Sequence, residues 1–236
     1  MLTPGFPTIS SNGVVNAASY AARISPGALA SIFGTGFGTG TFIADDGFNW
    51  PITAKNVSVK VNGVTAPLYY VSPGQINFQV PWATPTSGNV NVSVVYNGGS
   101  SNTASVAAGT AAPGLFMQPA GEAIVQNTPD YSLNGAANPA KTGSTIIAYL
   151  TGSGPVSPAA KDGTPTPTSG LTNMTSQYSA KIGSANATVS FAGLTPGFIG
   201  LVQMNIVVPA TLAPGVYPLS ITVDGQTANS ATVAVQ

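Results

Sequence analysis

The sequence contains no histidine and no cysteine. Imidazole bases, thiol nucleophiles, thiolate zinc sites and disulfides are therefore excluded by residue count alone. The absence of cysteine leaves the compartment open, because bacterial secreted proteins often lack disulfides and a reducing cytosol fits equally well. We expect a chain without enzymatic activity that needs no cofactor.

Charge is also scarce. The chain has six basic and six acidic residues, which cancel and make up 5% of the sequence. Nucleic acids and anionic membranes attract clustered lysine and arginine, and no such cluster occurs, so neither is an expected partner. No apolar run approaches the ~20 residues that span a bilayer, so we expect no membrane insertion. Serine, threonine, asparagine and glutamine must cover the surface, which favours an extracellular or cell-surface location.

The residues after Met1 show neither the basic segment nor the apolar run of a signal peptide. We therefore expect Met1 to begin an excised part of a longer chain or a processed chain.

Paired carboxylates are the one catalytic arrangement that the composition allows, because general acid–base chemistry needs titratable groups. The candidates are Glu122 with Asp130, and Asp45 with Asp46. Neither pair is surrounded by a recognisable catalytic motif. We expect neither pair to be catalytic.

Glycine and proline are abundant, and they separate short runs of β-branched and aromatic residues. Residues 57–61 alternate apolar and polar side chains, and Asn62-Gly63 then supplies the pair of positive-φ residues that a type I′ hairpin turn requires. Asn97-Gly98 and Asp224-Gly225 follow similar alternating runs. This pattern predicts antiparallel sheets with one buried and one solvated face.

The chain also repeats itself. The repeat is seen in four pairs of segments: residues 27–33 and 143–149, residues 75–81 and 203–209, residues 102–106 and 229–233, and, more loosely, Asn16 with Tyr20 and Asn127 with Tyr131. Two copies of one unit account for nearly every residue and leave no room for a separate catalytic domain.

The repeat predicts an all-β fold of two tandem immunoglobulin-like antiparallel β-sandwich units, produced by an internal duplication. We place the units at residues 1–110 and 111–236. The small residues of 107–112 should carry little core. Two insertions, at residues 38–50 and 155–168, should be surface loops that diverge between the units.

The residues that carry a family resemblance are 13–20, 25–34, 70–82 and 191–205. They resemble a C-terminal domain found repeatedly in large secreted proteins of Solibacter and other acidobacteria. The glycine turn after an early strand more distantly resembles the IPT/TIG variety of the immunoglobulin-like fold. The resemblance implies an extracellular, non-catalytic module and transfers no catalytic residue.

Four aromatic side chains form the candidate ligand site. Trp50, Trp82, Tyr69 and Tyr70 could provide faces on which a sugar ring stacks. Tyr69 and Tyr70 are adjacent on a predicted strand and should point to opposite faces, so one of them at most can join such a platform. We favour the other interpretation, that these aromatic residues pack into a core or a domain contact.

Two further polar groups are weaker candidates. Asp45, Asp46 and Asn49 gather oxygen ligands of the kind calcium prefers, but calcium needs six to eight and the spacing matches no EF-hand loop. We therefore expect a solvated acidic turn and no metal site. Asn77 and Asn205 recur beside a proline, and we expect them to satisfy backbone groups near Pro81 and Pro209.

The expected function is a non-catalytic binding or structural module of a secreted or cell-surface bacterial protein. Two alternatives stay open: a carbohydrate-binding accessory module, and a self-assembling surface-layer or filament subunit. The expected partners are other domains, copies of the same protein, or extracellular polysaccharide. The low charge and the sheet edges favour contacts between copies.

Overall fold

A computed structural model describes residues 6–45 and 47–236 of the chain. Within these ranges the regular elements are β-strands, with no helix, which confirms the prediction of an all-β fold. Accordingly, the described residues offer no helix that could cross a membrane. Asn62 and Gly63 have φ values of 46° and 85° between paired Val61 and Val64, as the predicted hairpin turn requires.

The first unit comprises strands β1 to β11. Their bounds are Thr8–Asn16, Arg23–Ile24, Leu29–Thr35, Phe42–Ile43, Val57–Val61, Val64–Ala66, Leu68–Val71, Gln75–Gln79, Asn89–Tyr96, Gly99–Ser100 and Ala104–Ala108. One sheet has the order β1-β3-β8-β7-β4. The other has the order β2-β11-β9-β5-β6, with β10 beside β9.

The second unit comprises strands β12 to β23. Their bounds are Gly114–Leu115, Val125–Asn127, Thr145–Thr151, Val156–Ser157, Asn173–Met174, Tyr178–Ile182, Ala185–Ala187, Val189–Leu194, Val202–Val207, Gly215–Val223, Gln226–Thr227 and Ala231–Val235. One sheet has the order β12-β14-β20-β19-β16-β15, with β13 beside β14. The other has the order β18-β17-β21-β22, with β23 beside β21.

The two units repeat the same strand pairing in the same register. Phe33 on β3 lies opposite Gln75 on β8, and Tyr149 on β14 lies opposite Gln203 on β20. The closing strands match as well, since β11 pairs with β9 as β23 pairs with β21. Two tandem immunoglobulin-like sandwiches related by duplication therefore form the chain. The division at residues 110 and 111 stays a prediction.

Each unit has its own hydrophobic core between its two sheets, built by the alternation seen in the sequence. Val57, Val59 and Val61 are buried, whereas Lys60 between them is exposed. The equivalent strand of the second unit buries Ala180 and Ile182 around an exposed Lys181. Trp82, from the first unit, packs against the core of the second.

The segment between the units is not the core-free linker that its small residues predicted. Ala108, Ala111 and Ala112 are buried, and Ala111 belongs to the core of the second unit. The Asn16 side-chain amide donates a hydrogen bond to the Ala112 carbonyl at 2.8 Å. The segment between the units consists of small residues because neighbouring backbone and side chains approach it closely. The segment is therefore part of the packed interior.

The prediction of two surface loops was wrong where the insertions meet. The backbone N–H of Trp50 donates to the Gly163 carbonyl at 2.8 Å, and the N–H of Gly163 donates to Gln79 Oε1 at 2.7 Å. Gly163 is buried at φ 62°, and a Cβ there would lie 2.9 Å from Pro67 Cβ. Glycine allows this approach, which sequence composition alone does not reveal.

Candidate functional site

The predicted aromatic residues divide between two places. Trp50 is 8% exposed and its ring lies 4.9 Å from that of Tyr69, with an interplanar angle of 35°. Ile199 of the second unit packs in the same small cluster, together with Ala44, Leu29 and Phe42, so the cluster joins the two units.

Trp82 contacts the second unit separately. Its backbone N–H donates to Asp162 Oδ1 at 2.7 Å, and its ring packs against Gly27, where an added Cβ would collide with the indole. Tyr70 is half-buried and lies opposite Asn77 in the sheet register. The structure thus brings Trp50 and Tyr69 together, and the role of all four aromatic residues in ligand binding stays a prediction.

The acidic candidates also stay predictions. Asp45 and Asn49 are exposed, whereas Asp46 lies outside the described residues. Across the residues that the structure describes, no three acidic side chains gather as they would around a metal ion. Asp130 accepts hydrogen bonds from the hydroxyl and the backbone N–H of Ser132, which lower the pKa of its carboxyl group.

An open groove on the outer face of the second unit is a candidate ligand site. Its volume is about 370 Å³, and six residues line it: Phe116, Ile124, Gln126, Tyr149, Phe198 and Leu201. No pattern in the sequence pointed to this groove. The lining comes from three separate stretches of the chain, and its aromatic residues are indistinguishable from core residues in the sequence alone.

Backbone hydrogen bonds fix three of the lining residues relative to one another. The Phe116 N–H donates to the Tyr149 carbonyl at 3.1 Å, the Tyr149 N–H donates to the Ile124 carbonyl at 3.3 Å, and the Ile124 N–H donates to the Phe116 carbonyl at 2.8 Å. Because Ile146, Ala148 and Leu150 point into the core, Tyr149 points outward from β14.

The polar side of the groove consists of a phenol and an amide. Tyr149 Oη donates to Gln126 Oε1 at 2.6 Å, which leaves the Gln126 NH₂ group as a donor for a ligand. Burial of the phenol, together with nearby Tyr131, raises the pKa of Tyr149 above its usual value. The phenol therefore remains a hydrogen-bond donor throughout the neutral range.

Contact with the first unit holds the turn that supplies Phe198 and Leu201. The Leu29 N–H donates to Thr151 Oγ1 at 2.8 Å, and the Thr151 hydroxyl donates to the Gly200 carbonyl at 2.9 Å. Ile199, in the same turn, packs in the inter-unit cluster with Trp50. The shape of the groove therefore depends on how the two units meet.

A row of amides runs beside the groove and recurs in the first unit. Gln203 Nε2 donates to Asn205 Oδ1 at 3.3 Å, and Gln75 Nε2 donates to Asn77 Oδ1 at 2.8 Å. Asn77 also accepts from the Ser31 hydroxyl at 3.0 Å. The expectation that these asparagines satisfy backbone groups was wrong, because their amides bond to side chains on the outer face.

Each unit also places an exposed tyrosine in the left-handed region. Tyr20 has φ 57° and is 63% exposed, and Tyr131 has φ 59° and is 60% exposed. A bulky side chain in this conformation costs about 1–2 kcal/mol. Tyr20 stacks on Phe33 with ring centroids 6.3 Å apart. The repeat of Asn16 with Tyr20 as Asn127 with Tyr131 was the sequence signal for this pair.

Comparison with known proteins agrees with the fold. Residues 19–108, within the first unit, match the IPT/TIG domain family. No curated protein matches this chain.

Several solved structures match this chain at low sequence identity and low TM-score. SGBP-B of the Bacteroides ovatus mixed-linkage glucan utilization locus, solved with a mixed-linkage heptasaccharide, is 14% identical with a TM-score of 0.38, over 100% of this chain and 46% of that one. The surface glycan-binding protein PbSGBP-B from Prevotella bryantii is 10% identical with a TM-score of 0.31, over 98% and 42%. SGBP-B from a complex xyloglucan utilization locus of Bacteroides uniformis is 14% identical with a TM-score of 0.28, over 98% and 49%. This chain spans about half the length of these proteins.

Proposed function

We propose that this chain is a non-catalytic extracellular module that binds carbohydrate along the groove of the second unit. The observation that carries the proposal is the combination of three aromatic rings, from Phe116, Tyr149 and Phe198, with the Gln126 amide in one open groove. The apolar C–H faces of a sugar stack on such rings, and its hydroxyl groups bond to the amide and the phenol.

The size and charge of the groove favour a neutral ligand. Its volume of about 370 Å³ lies within the range of roughly 300–1,000 Å³ that ligand sites occupy. The lining includes no charged side chain. Anionic ligands would lack a cationic partner there, whereas a neutral sugar needs none.

The first unit serves the site as a support. Its Leu29 and Trp50 contact the turn between Thr195 and Leu201, which carries one edge of the groove. A site whose walls are held by packed neighbours loses less conformational entropy when a ligand binds. The extracellular location and the acidobacterial family are part of the proposal and rest on the uncharged polar surface and on the resemblance described above.

Affinity electrophoresis tests the proposal. The purified chain is run through gels that contain one neutral polysaccharide each, from a panel of α- and β-glucans, xylans and mannans, with an anionic polysaccharide as the reference. We expect at least one neutral polysaccharide to retard the chain, and Tyr149→Ala to weaken the retardation about tenfold, as the loss of a stacked ring implies. Tyr178→Ala is the matched control, because Tyr178 is an exposed tyrosine on the other sheet.

Three results would overturn the proposal. The first is that no neutral polysaccharide retards the chain. The second is that Tyr149→Ala and Tyr178→Ala behave alike. The third is release of reducing sugar from the retarding polysaccharide by the purified chain, which would show catalysis.

A further inference from the structure

The first unit carries an outward surface that matches the edge of the groove in the second unit. Phe33 occupies the position of Tyr149, with Gln75 opposite it as Gln203 is opposite Tyr149. Exposed Tyr20 stacks over Phe33, and exposed Tyr131 lies near Tyr149. A hydrogen bond between side-chain amides completes the match: Gln75 donates to Asn77 on one strand, and Gln203 donates to Asn205 on the other.

Burial does not account for Tyr20 and Tyr131 at these positions. A left-handed backbone favours glycine or asparagine, and a tyrosine there is strained. Burial of the ring does not offset the strain, since both rings are mostly exposed. Tyr20 and Tyr131 nevertheless occupy the same position of the turn that follows Asn16 and Asn127. Both units therefore present a largely exposed tyrosine ring that is available to contact a ligand.

The two surfaces lie on either side of the contact between the units. Leu29 and Phe33 both point outward from β3, because Ala30 and Ile32 between them are buried. Leu29 bonds to Thr151, which lies two residues beyond Tyr149 on β14. At about 3.3 Å per residue, Phe33 and Tyr149 are therefore separated by at most about 25 Å.

We propose that Tyr20 and Phe33 form a second carbohydrate-binding surface, so that one neutral polysaccharide chain contacts both units at once. This inference rests on the proposed function of the groove. An oligosaccharide of several residues can span a separation of at most about 25 Å, so one ligand chain can reach both surfaces. No charged side chain belongs to the ring pair or to the amide row, which is consistent with the same neutral ligand.

The second surface adds affinity for long ligands and not for short ones. Phe33 and Tyr20 form a stacked pair, whereas the second unit adds Phe116, Ile124 and Phe198 to make a groove. The first unit therefore binds weakly alone. Once the groove holds one end of a long ligand, the second contact is intramolecular, and the combined affinity exceeds that of either surface.

Isothermal titration of the purified chain with a disaccharide, a longer oligosaccharide and the retarding polysaccharide tests this inference. Tyr20→Asn removes the ring and suits the left-handed backbone, so the variant should fold. We expect Tyr20→Asn to lower the affinity for the polysaccharide about tenfold while the disaccharide binds as in the wild type. Tyr149→Ala should weaken binding of all three ligands.

The outcomes separate the two proposals. One outcome is that the wild type binds a polysaccharide, Tyr149→Ala weakens this binding, and Tyr20→Asn and Phe33→Ala leave the affinity unchanged. The groove then binds carbohydrate alone, and the second surface is refuted. If no carbohydrate binds, both proposals fail. If light scattering shows that Tyr20→Asn converts a dimer into a monomer, the surface is a contact between copies, which also overturns the inference.

Discussion

Replacing Trp50 by alanine should destabilise the chain where its two units meet. The indole is 8% exposed and packs against Tyr69 in its own unit and Ile199 in the other. Truncating a buried tryptophan costs about 3–5 kcal/mol, because transfer energy is lost and a cavity remains. We expect a loss of about 3 kcal/mol in the free energy of unfolding, since the backbone hydrogen bond from Trp50 to Gly163 is retained in the variant. At roughly 3 °C per kcal/mol for a chain of this size, the unfolding midpoint should fall about 10 °C.

Differential scanning calorimetry measures the effect, and Phe48→Ala is the matched control. Phe48 belongs to the same loop but is 70% exposed, so its loss should change stability by less than about 0.5 kcal/mol. Trp50→Ala should also weaken polysaccharide binding, because Ile199 lies in the turn that carries Phe198. Equal midpoints for Trp50→Ala and Phe48→Ala would refute the conclusion that this cluster stabilises the inter-unit contact.

Three other perturbations test separate features. Tyr149→Phe removes the hydrogen bond to Gln126 and should lower the free energy of unfolding, measured in urea, by about 1 kcal/mol. Burial raises the pKa of Tyr149. The stability that the Tyr149 phenol contributes should therefore be complete below about pH 10 and be lost as the pH rises through the raised pKa. Tyr131→Asn should raise the stability toward urea by about 1 kcal/mol, as relief of the left-handed strain implies, and a decrease would show that the ring stabilises the turn. Adding a chelator should leave the calorimetric midpoint unchanged; a fall of many degrees that Asp45→Ala reproduces would identify a calcium site in the acidic loop.

Local sequence signals were sufficient to predict the sheets. Asn62-Gly63 defines one hairpin register by itself, because both residues can adopt positive φ and the turn has two central residues. Repeated motifs then gave the second unit the strand order of the first. Such features depend on residues close together in the chain, and sequence patterns report on them directly.

The contacts between the units could not be predicted in this way. Trp50 meets Gly163 and Ile199 across more than a hundred residues, and no periodicity connects positions so far apart. The sequence left two roles open for the tryptophans, sugar stacking or packing, and the structure shows the contacts but not the ligand. The sequence did not predict that Phe116 and Phe198 line a groove, because an apolar residue near a turn is usually part of a core.

The hydrogen bonds that run from Leu29 through Thr151 to Gly200 make the contact between the two units asymmetric. The counterpart of Leu29 in the second unit is Thr145, and the counterpart of buried Thr151 in the first unit is exposed Thr35. Two similar units therefore meet through unlike surfaces, in a head-to-tail contact without twofold symmetry. Exchanging the order of the units would place a threonine where Leu29 now packs. The duplicated halves are therefore no longer interchangeable, and each is suited to its own position in the chain.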